Sequence, residues 1–260
     1  MDSSFRLDEL RRDSWLRGLV YEPQMPSTND LALRLAADAA LGAPTLVLTA
    51  QQTAGRGRGV NRWWSAPGAL TCSVVIDLPA SLPVLRRSQL ALVAGLAVRQ
   101  AVAQQAGVVA WVKWPNDVYV DRRKVGGILI ETSASRPTRA VIGIGINVNN
   151  SLAEAPLDVQ GRAAALVDLA GRPLDLTNML TLVLRRLSAE IQAWVDDEKV
   201  LSERWGPHCF LTGRAVQIEG NGTRIVGRCL GISPTGALLL QTSEGVVPCI
   251  AGVVARFDEI

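Results

Sequence analysis

The chain has 260 residues, 48% hydrophobic and 20% charged: enough apolar material for one large core, or a core with a small companion domain, and too little charge for general disorder. A formal net charge of +3 suits a soluble enzyme of anionic substrates and does not require nucleic acid. Four scattered cysteines (Cys72, Cys209, Cys229, Cys249) and one histidine (His208) give no metal spacing, so the thiols read as core residues of a reducing cytosol.

The first residues, MDSSFRLDELRRDSWLRG, lack the apolar centre of a signal peptide, and no later run reaches membrane-spanning length. A cytoplasmic protein with no membrane contact is expected. Ser4 to Arg17 reads as a short amphipathic helix and Leu19 to Tyr21 as an entering strand. Ser27, with Asp30 three residues later, is an N-cap signature. The helix it opens carries Leu31, Leu35 and Ala39 at helical spacing, with Gly42 as terminator. Pro44 to Thr49 and Leu70 to Leu78 read as strands on either side of a loop, GRGRGVNRWWSAPG. Pro83 opens a helix reaching about Gln105, closed by Gly107. Val108 to Val112, Val118 to Val120, Ile128 to Ile130 and Ala140 to Val148 are further strands, the middle two joined by a charged turn. Leu174 to Arg204 is the longest helix, with Leu180, Leu184, Leu187, Ile191 and Trp194 on its apolar stripe.

Beyond Pro207 the texture changes. Arg214 to Glu219, Arg224 to Ile232, Ala237 to Thr242 and Val246 to Phe257 are short strands, with turns at Glu219 to Gly222 and Ser233 to Gly236. The expected architecture is α+β. A mixed sheet flanked by helices fills residues 1–207, and a small β-barrel of the SH3-like kind fills residues 208–260.

Two stretches carry chemistry. The first packs Arg56, Arg58 and Arg62 among Gly55, Gly57 and Gly59. Glycine lets backbone approach a ligand, and arginine offers a fork for carboxylate or phosphate. The loop is neither a Walker loop nor a dinucleotide fingerprint; its bland alternatives are a solvated basic turn or an RNA-binding segment. The second is KWPNDVYVDRRKVGGILIE, Lys113 to Glu131. It brings Lys113, Asn116, Asp117, Lys124 and the pair Gly126-Gly127 into one compact turn. Taken alone, Lys124 is an exposed hairpin lysine and the glycines mark a β-bulge. Close backbone approach to a ligand is the sharper alternative. Asn147 is balanced between ligand contact and turn capping. Trp63 and Trp114 either wall a pocket or fill a core. Nothing makes His208 a general base.

Five stretches recur in an order that resembles the biotin protein ligases. They are Ser27-Thr28-Asn29; Gln52 with Gly55-Arg56-Gly57-Arg58; Lys113-Trp114-Pro115-Asn116-Asp117; Arg123-Lys124 with Gly126-Gly127-Ile128-Leu129; and Gly143-Ile144-Gly145-Ile146-Asn147. The resemblance implies formation of biotinyl-5′-AMP from biotin and ATP with Mg2+, then transfer to a lysine of a biotin carboxyl carrier domain. It implies that Ser27, Thr28, Asn29 and Gln52 hold biotin. Arg56 and Arg58, counted with Lys124 as catalytic, would sit with Gly55 and Gly57 in the loop over the adenylate, supported by Trp63. Lys124 would be the catalytic lysine, joined by Lys113, Asn116, Asp117, Gly126 and Gly127 around the reacting groups, with Asn147 toward the nucleotide. It assigns no metal ligand. Many members carry Gly-Arg where this chain has Val60-Asn61. Too few residues precede Ser27 for the DNA-binding domain of two-function members, so no DNA partner is expected, and a monomer or a homodimer fits equally. The competing expectations are a lipoate or octanoate ligase of the same kind, or a non-catalytic nucleic-acid-binding module with salt-steep affinity.

Overall fold

A computed structural model describes residues 5–220 and 222–258; Ser4, assigned to the first helix, and Asn221, assigned to a turn, lie outside it. In chain order the elements are α1 (Leu7–Arg11), β1 (Gly18–Met25), α2 (Thr28–Ala36), β2 (Thr45–Gln52), β3 (Leu70–Asp77), α3 (Val84–Arg87), α4 (Leu90–Ala106), β4 (Ala110–Lys113), β5 (Asp117–Val120), β6 (Arg123–Ser133) and β7 (Arg136–Ile146). Then follow α5 (Leu157–Gln160), α6 (Leu166–Ala170), α7 (Leu176–Asp196), α8 (Val200–Trp205), β8 (Ala215–Gly220), β9 (Thr223–Ile232), β10 (Leu238–Thr242), β11 (Gly245–Cys249) and β12 (Val253–Asp258).

The first sheet has seven strands in the order β1-β2-β3-β7-β6-β5-β4. It is mixed: β1 and β2 run parallel, and every other pair is antiparallel. Helix α4 is apolar round most of its circumference because it is largely enclosed: eleven of its residues are buried, and it packs against both α7 and the sheet. Gly107 ends it at φ +70°, the left-handed cap that glycine takes at little cost. Ser27 is the N-cap of α2 and accepts from the Asp30 amide, as the sequence indicates, but that helix ends at Ala36, well before Gly42.

Two long helices foreseen in the sequence are each broken, the first for a long-range reason and the second for a local one. The first divides into α3 and α4 at Ser88-Gln89. The buried Gln89 side chain accepts from Trp194 Nε1 at 2.7 Å and donates to the Pro234 carbonyl at 3.1 Å. The second divides into α7 and α8 because Asp197 leaves helical dihedrals and its carboxylate accepts from the Lys199 amide. The short helices α5 and α6 carry no sequence signal strong enough to announce them.

The expected SH3-like barrel is corrected. Strands β8 to β12 form an open five-stranded antiparallel sheet in the order β11-β10-β9-β8-β12. A barrel needs β11 to pair with β12, and these are the two opposite edges. The run from Val246 to Phe257, read as one strand, is interrupted at Ile250 to Gly252. Gly252 has φ +142° and lies so close to β8 that a Cβ would come within 2.5 Å of the Ile218 side chain. The connection therefore crosses the end of the sheet and does not fold back as a hairpin. Pro248, which cannot donate, sits on the β11 edge where its missing N–H costs no ladder bond.

The two sheets share one continuous apolar cluster, reaching from Leu46 and Val112 to Val216, Cys229 and Leu240. Backbone links reinforce it: the Phe210 amide donates to the Val112 carbonyl at 2.8 Å. Trp114, 2% exposed, donates its indole N–H to the Gly236 carbonyl at 3.1 Å. All four cysteines are buried free thiols, and among the described residues no helix is long and apolar enough to cross a membrane. Trp114→Phe leaves that buried carbonyl without its donor; chemical denaturation should show a loss of about 1–3 kcal/mol.

Candidate active site

The site is built on a strip of sheet without side chains. Strand β7 alternates: Ile142, Ile144 and Ile146 enter the core under α4, and Val141, Gly143 and Gly145 face the other way. Gly145 pairs with Gly127 on β6 and Thr71 on β3, and Gly143 pairs with Leu129 and Ser73. A Cβ at Gly143 would overlap the Asn29 amide, and one at Gly145 would overlap the Trp63 ring. Over this bare strip lies a pocket of about 590 Å3.

At one side of the pocket the sheet register lines up three charged groups. Lys113 on β4 pairs with Asp117 on β5, which pairs with Gly127 on β6. The β5–β6 hairpin turns at Asp121 and Arg122, with φ +46° and +64°, the two-residue geometry matched to strand twist. Just beyond it is a β-bulge: Tyr119 pairs with Lys124 and Val118 with Gly126, leaving Val125 as the extra residue. Strict alternation would put Lys124 and Gly127 on opposite faces. The bulge resets the count, buries Val125 and swings Lys124 over Gly127. Lys124 Nζ lies 2.5 Å from Asp117 Oδ1, and Lys113 Nζ 3.9 Å from Asp117 Oδ2. One carboxylate thus serves two ammonium groups. The strand segment is also held from outside, since the Lys124 amide donates to the Arg162 carbonyl and its own carbonyl accepts from Ala164.

Lys113 is 8% exposed, with Nζ 5.2 Å from the Tyr119 ring centroid and 5.3 Å from that of Phe257 on β12. Burial draws its pKa below the ordinary 10.5 and the Lys124 charge draws the same way, partly offset by Asp117.

At the opposite side the groups are neutral. Gln52 Oε1 accepts from the Thr28 amide at 2.7 Å and from its hydroxyl at 3.0 Å. The buried Ser73 hydroxyl lies 2.8 Å from Thr28 Oγ1 and 2.6 Å from Asn29 Oδ1. Asn29 thus stands over Gly143 on β7, and Lys124 over Gly127 on the neighbouring β6.

The arginine–glycine loop closes over the top as a small hairpin of its own. Arg56 and Arg62 form a β-bridge, Gly57 donates to Asn61, and Trp63 donates to Gly55. Gly59 takes φ +65° at the tip and Val60 is fully exposed. Asn61, where a Gly-Arg was expected by resemblance, donates its side-chain amide to the Arg58 carbonyl at 2.9 Å and so stitches the turn. Arg58 donates to the Gly252 carbonyl at 2.8 Å, tying the loop to the second sheet. Both prongs of Arg56 are occupied by Glu131, at 2.9 and 2.6 Å. The Trp63 indole N–H is buried without a partner.

The structure gathers most of the residues singled out in the sequence. Ser27, Thr28, Asn29, Gln52, Arg56, Gly57, Arg58, Trp63, Lys113, Asn116, Asp117, Lys124 and Gly127 all line the pocket. Gly55, Gly126 and Asn147 are outside its wall. A Cβ on Gly55 would press on Gln52 and Trp63, and Gly126 packs against the Gly145 carbonyl. Asn147 is buried, donates its amide to Val125, and accepts from the Asn150 side chain. Trp114 is a core aromatic that borders a second, smaller cleft. Sequence reasoning gave no role to Glu131, Ser73, Gly143 or Gly145. The glycines were legible in the alternation Gly-Ile-Gly-Ile, whereas Glu131 and Ser73 find their partners only through the fold. Among the described residues no cluster of three histidine, cysteine or carboxylate side chains could hold a metal.

Comparison with known proteins places this arrangement. The profile of the biotin/lipoate A/B protein ligase family matches residues 21–149, and that of the biotin protein ligase C terminal domain matches residues 211–256. A bifunctional ligase/repressor BirA from Bacillus subtilis is 34% identical over 236 residues, 88% of this chain and 70% of that protein. A biotin–[acetyl-CoA-carboxylase] ligase from Mycobacterium tuberculosis is 32% identical over 98% of this chain and 95% of its own length. A crystallised biotin protein ligase from Aquifex aeolicus, in complex with biotin and ATP, superposes with a TM-score of 0.80 at 30% identity, covering 94% of this chain and 98% of its own.

The glycine strip and the buried lysine each make a measurable demand. Gly145→Ala should displace Trp63 and shift the tryptophan emission, with a stability loss of about 1–3 kcal/mol. For Lys113, burial favours the neutral form. Between its depressed folded value and 10.5 the unfolded chain holds more protons, so this group's contribution to stability rises with pH. Lys113→Met should therefore raise the thermal midpoint near neutral pH while lowering activity, and the gain should shrink in melts at pH values approaching 10.5.

Proposed function

The chain belongs to the biotin protein ligase family, and from that membership and the pocket geometry we propose that it is a biotin–[acetyl-CoA-carboxylase] ligase. In the first step a carboxylate oxygen of biotin attacks the α-phosphorus of ATP, and pyrophosphate leaves. In the second the amine of a carrier-domain lysine attacks the biotinyl carbonyl, and AMP leaves. The observation that carries the reading is the row Lys113–Asp117–Lys124 over Gly127, lining one pocket with a buried neutral hydrogen-bonding alcove of Thr28, Asn29 and Gln52.

The chemistry asks for that row. Bringing a carboxylate to a phosphate sets two anions together, and their repulsion must be offset by cations already in place. Lys124, its ammonium held by Asp117 at the pocket wall, is the residue assigned to the reacting carboxylate and α-phosphate. Lys113 adds a second, less hydrated charge behind Asp117. In the alcove, Thr28, Gln52 and Asn29 supply donors and acceptors for the ureido ring of biotin; a lipoyl or octanoyl chain offers them no polar partner. Ser27 acts there by capping α2. The loop from Gly55 to Trp63, with Arg58 latched to Gly252, covers the mixed anhydride and keeps water from it. Trp63 lines the pocket and gives the nucleotide an aromatic wall. Among the described residues the donor set makes no resident magnesium cage; the ion would arrive on the triphosphate with its water shell, and no step is assigned to it. The carrier partner is a biotin carboxyl carrier domain that presents its lysine at the pocket mouth.

The test is an assay with radiolabelled ATP and biotin, lipoate or octanoate, scored for acyl-AMP and then for label transfer to an apo-carrier domain. Biotinyl-AMP and labelled carrier are expected. Lys124→Ala should reduce adenylate formation by about a hundredfold or more, the scale of one lost transition-state donor, with its melting curve preserved. Adenylate from lipoate or octanoate alone, or from none of the three, would overturn the assignment.

A further inference from the structure

Resting on the reading above, we infer that Glu131 is a positioning residue: one carboxylate pins both the base of the arginine–glycine loop and the pocket amide of Asn29. Glu131 accepts two parallel bonds from Arg56, at 2.9 and 2.6 Å, and one from Asn29 Nδ2 at 2.9 Å. The same Arg56 Nη2 that binds Glu131 also lies 2.7 Å from Asp30 Oδ1 of α2. The cluster therefore joins β6, the first turn of α2 and the neck of the loop.

An isolated surface ion pair contributes little, but this one differs in three respects. The Arg56–Glu131 contact is two-pronged, which adds direction as well as energy. Glu131 is only 25% exposed, so solvent screens the pair less than at an open surface. The same oxygen that binds Arg56 Nη2 also takes the Asn29 amide, so the two contacts cannot be broken independently. Arg56 forms the β-bridge with Arg62 that closes the neck of the loop hairpin. While Glu131 holds it, its fork is spent on the clamp and is not aimed at a ligand phosphate. Glu131 thus sets how the loop stands over the pocket, and through Asn29 it orients the amide that Ser73 also contacts. It touches no reacting atom; its action runs through Arg56 and Asn29.

The experiment uses the full chain with Glu131→Gln, which keeps size and polarity, Arg56→Lys, which keeps charge but loses the fork, and the double variant. Two readouts are taken. The first is the rate of tryptic cleavage within residues 55–63 of the ligand-free protein, which needs no catalytic activity. The second is a KM-against-kcat split for biotin, with the rate at which preformed biotinyl-AMP escapes. Each single variant should speed cleavage and adenylate escape by about five- to tenfold, the scale of one charge-assisted contact. For Glu131→Gln, KM for biotin should rise, with kcat within about twofold of the parent. The double variant should be no worse than the more affected single variant, because both remove one contact. Unchanged cleavage, effects that multiply in the double variant, or a loss confined to kcat would each overturn the inference. If the parent protein makes no biotinyl-AMP, the ligase assignment fails, and the cleavage comparison still decides the clamp.

Discussion

Where β6 and β7 run side by side, Gly127 faces Gly145 and Gly143 faces Leu129, so a stretch of sheet carries almost no side chains on one face. The other face of the same strands presents Ile128, Ile142, Ile144 and Ile146 to the core. This steric vacancy governs the rest of the site. It lets the Trp63 ring and the Asn29 amide lie directly on backbone, and it lets the Lys124 ammonium come down over Gly127. A methyl group at these positions would push each element outward and fill the space a ligand needs. The pocket is thus a consequence of absent atoms, set in place by the rigid, buried half of the same strands.

On that vacancy the protein concentrates positive charge at some cost. Lys113 is desolvated and shares the Asp117 carboxylate with Lys124. Such an arrangement is poor for stability alone, because a buried ammonium that shares its counterion keeps an uncompensated charge. It becomes sensible when a dianionic ligand completes the balance. The tyrosine and phenylalanine rings beside Lys113 lessen the penalty by offering their negative faces. The loop arginines divide their labour. Arg56 is committed to carboxylates of the framework, and Arg58 to a carbonyl of the second sheet.

Much of this was legible in the sequence because it depends on local rules. Ser27 with Asp30 marks a helix start, Gly107 a helix end, and the Gly-Ile-Gly-Ile alternation a strand with one bare face. The hairpin carrying Asp117 and Lys124 follows from two apolar runs around a charged turn. What escaped depends on partners far along the chain. Glu131 meets Arg56 across 75 positions, and no spacing announces it. The break between α3 and α4 follows from Gln89 reaching Pro234 and Trp194. The barrel was overdrawn because short strands with regular turns fix strand pairing but not closure. Closure was denied by three residues, Ile250 to Gly252, that carry the chain across the sheet end. Asn147, evenly balanced between ligand and cap, is buried against Asn150 and Val125.

The latch from Arg58 to Gly252 and the stacking of Phe257 on Lys113 have a consequence in time. During synthesis the first sheet, the glycine strip and both lysines emerge early and can begin to fold as a unit. The carbonyl that fastens the loop and the ring that shelters Lys113 emerge only near the end of the described chain. The cover of the pocket and the shelter of its inner cation therefore both depend on the second sheet being in place, and a chain folded only through the first sheet would hold the cradle with its loop unfastened and Lys113 open to water.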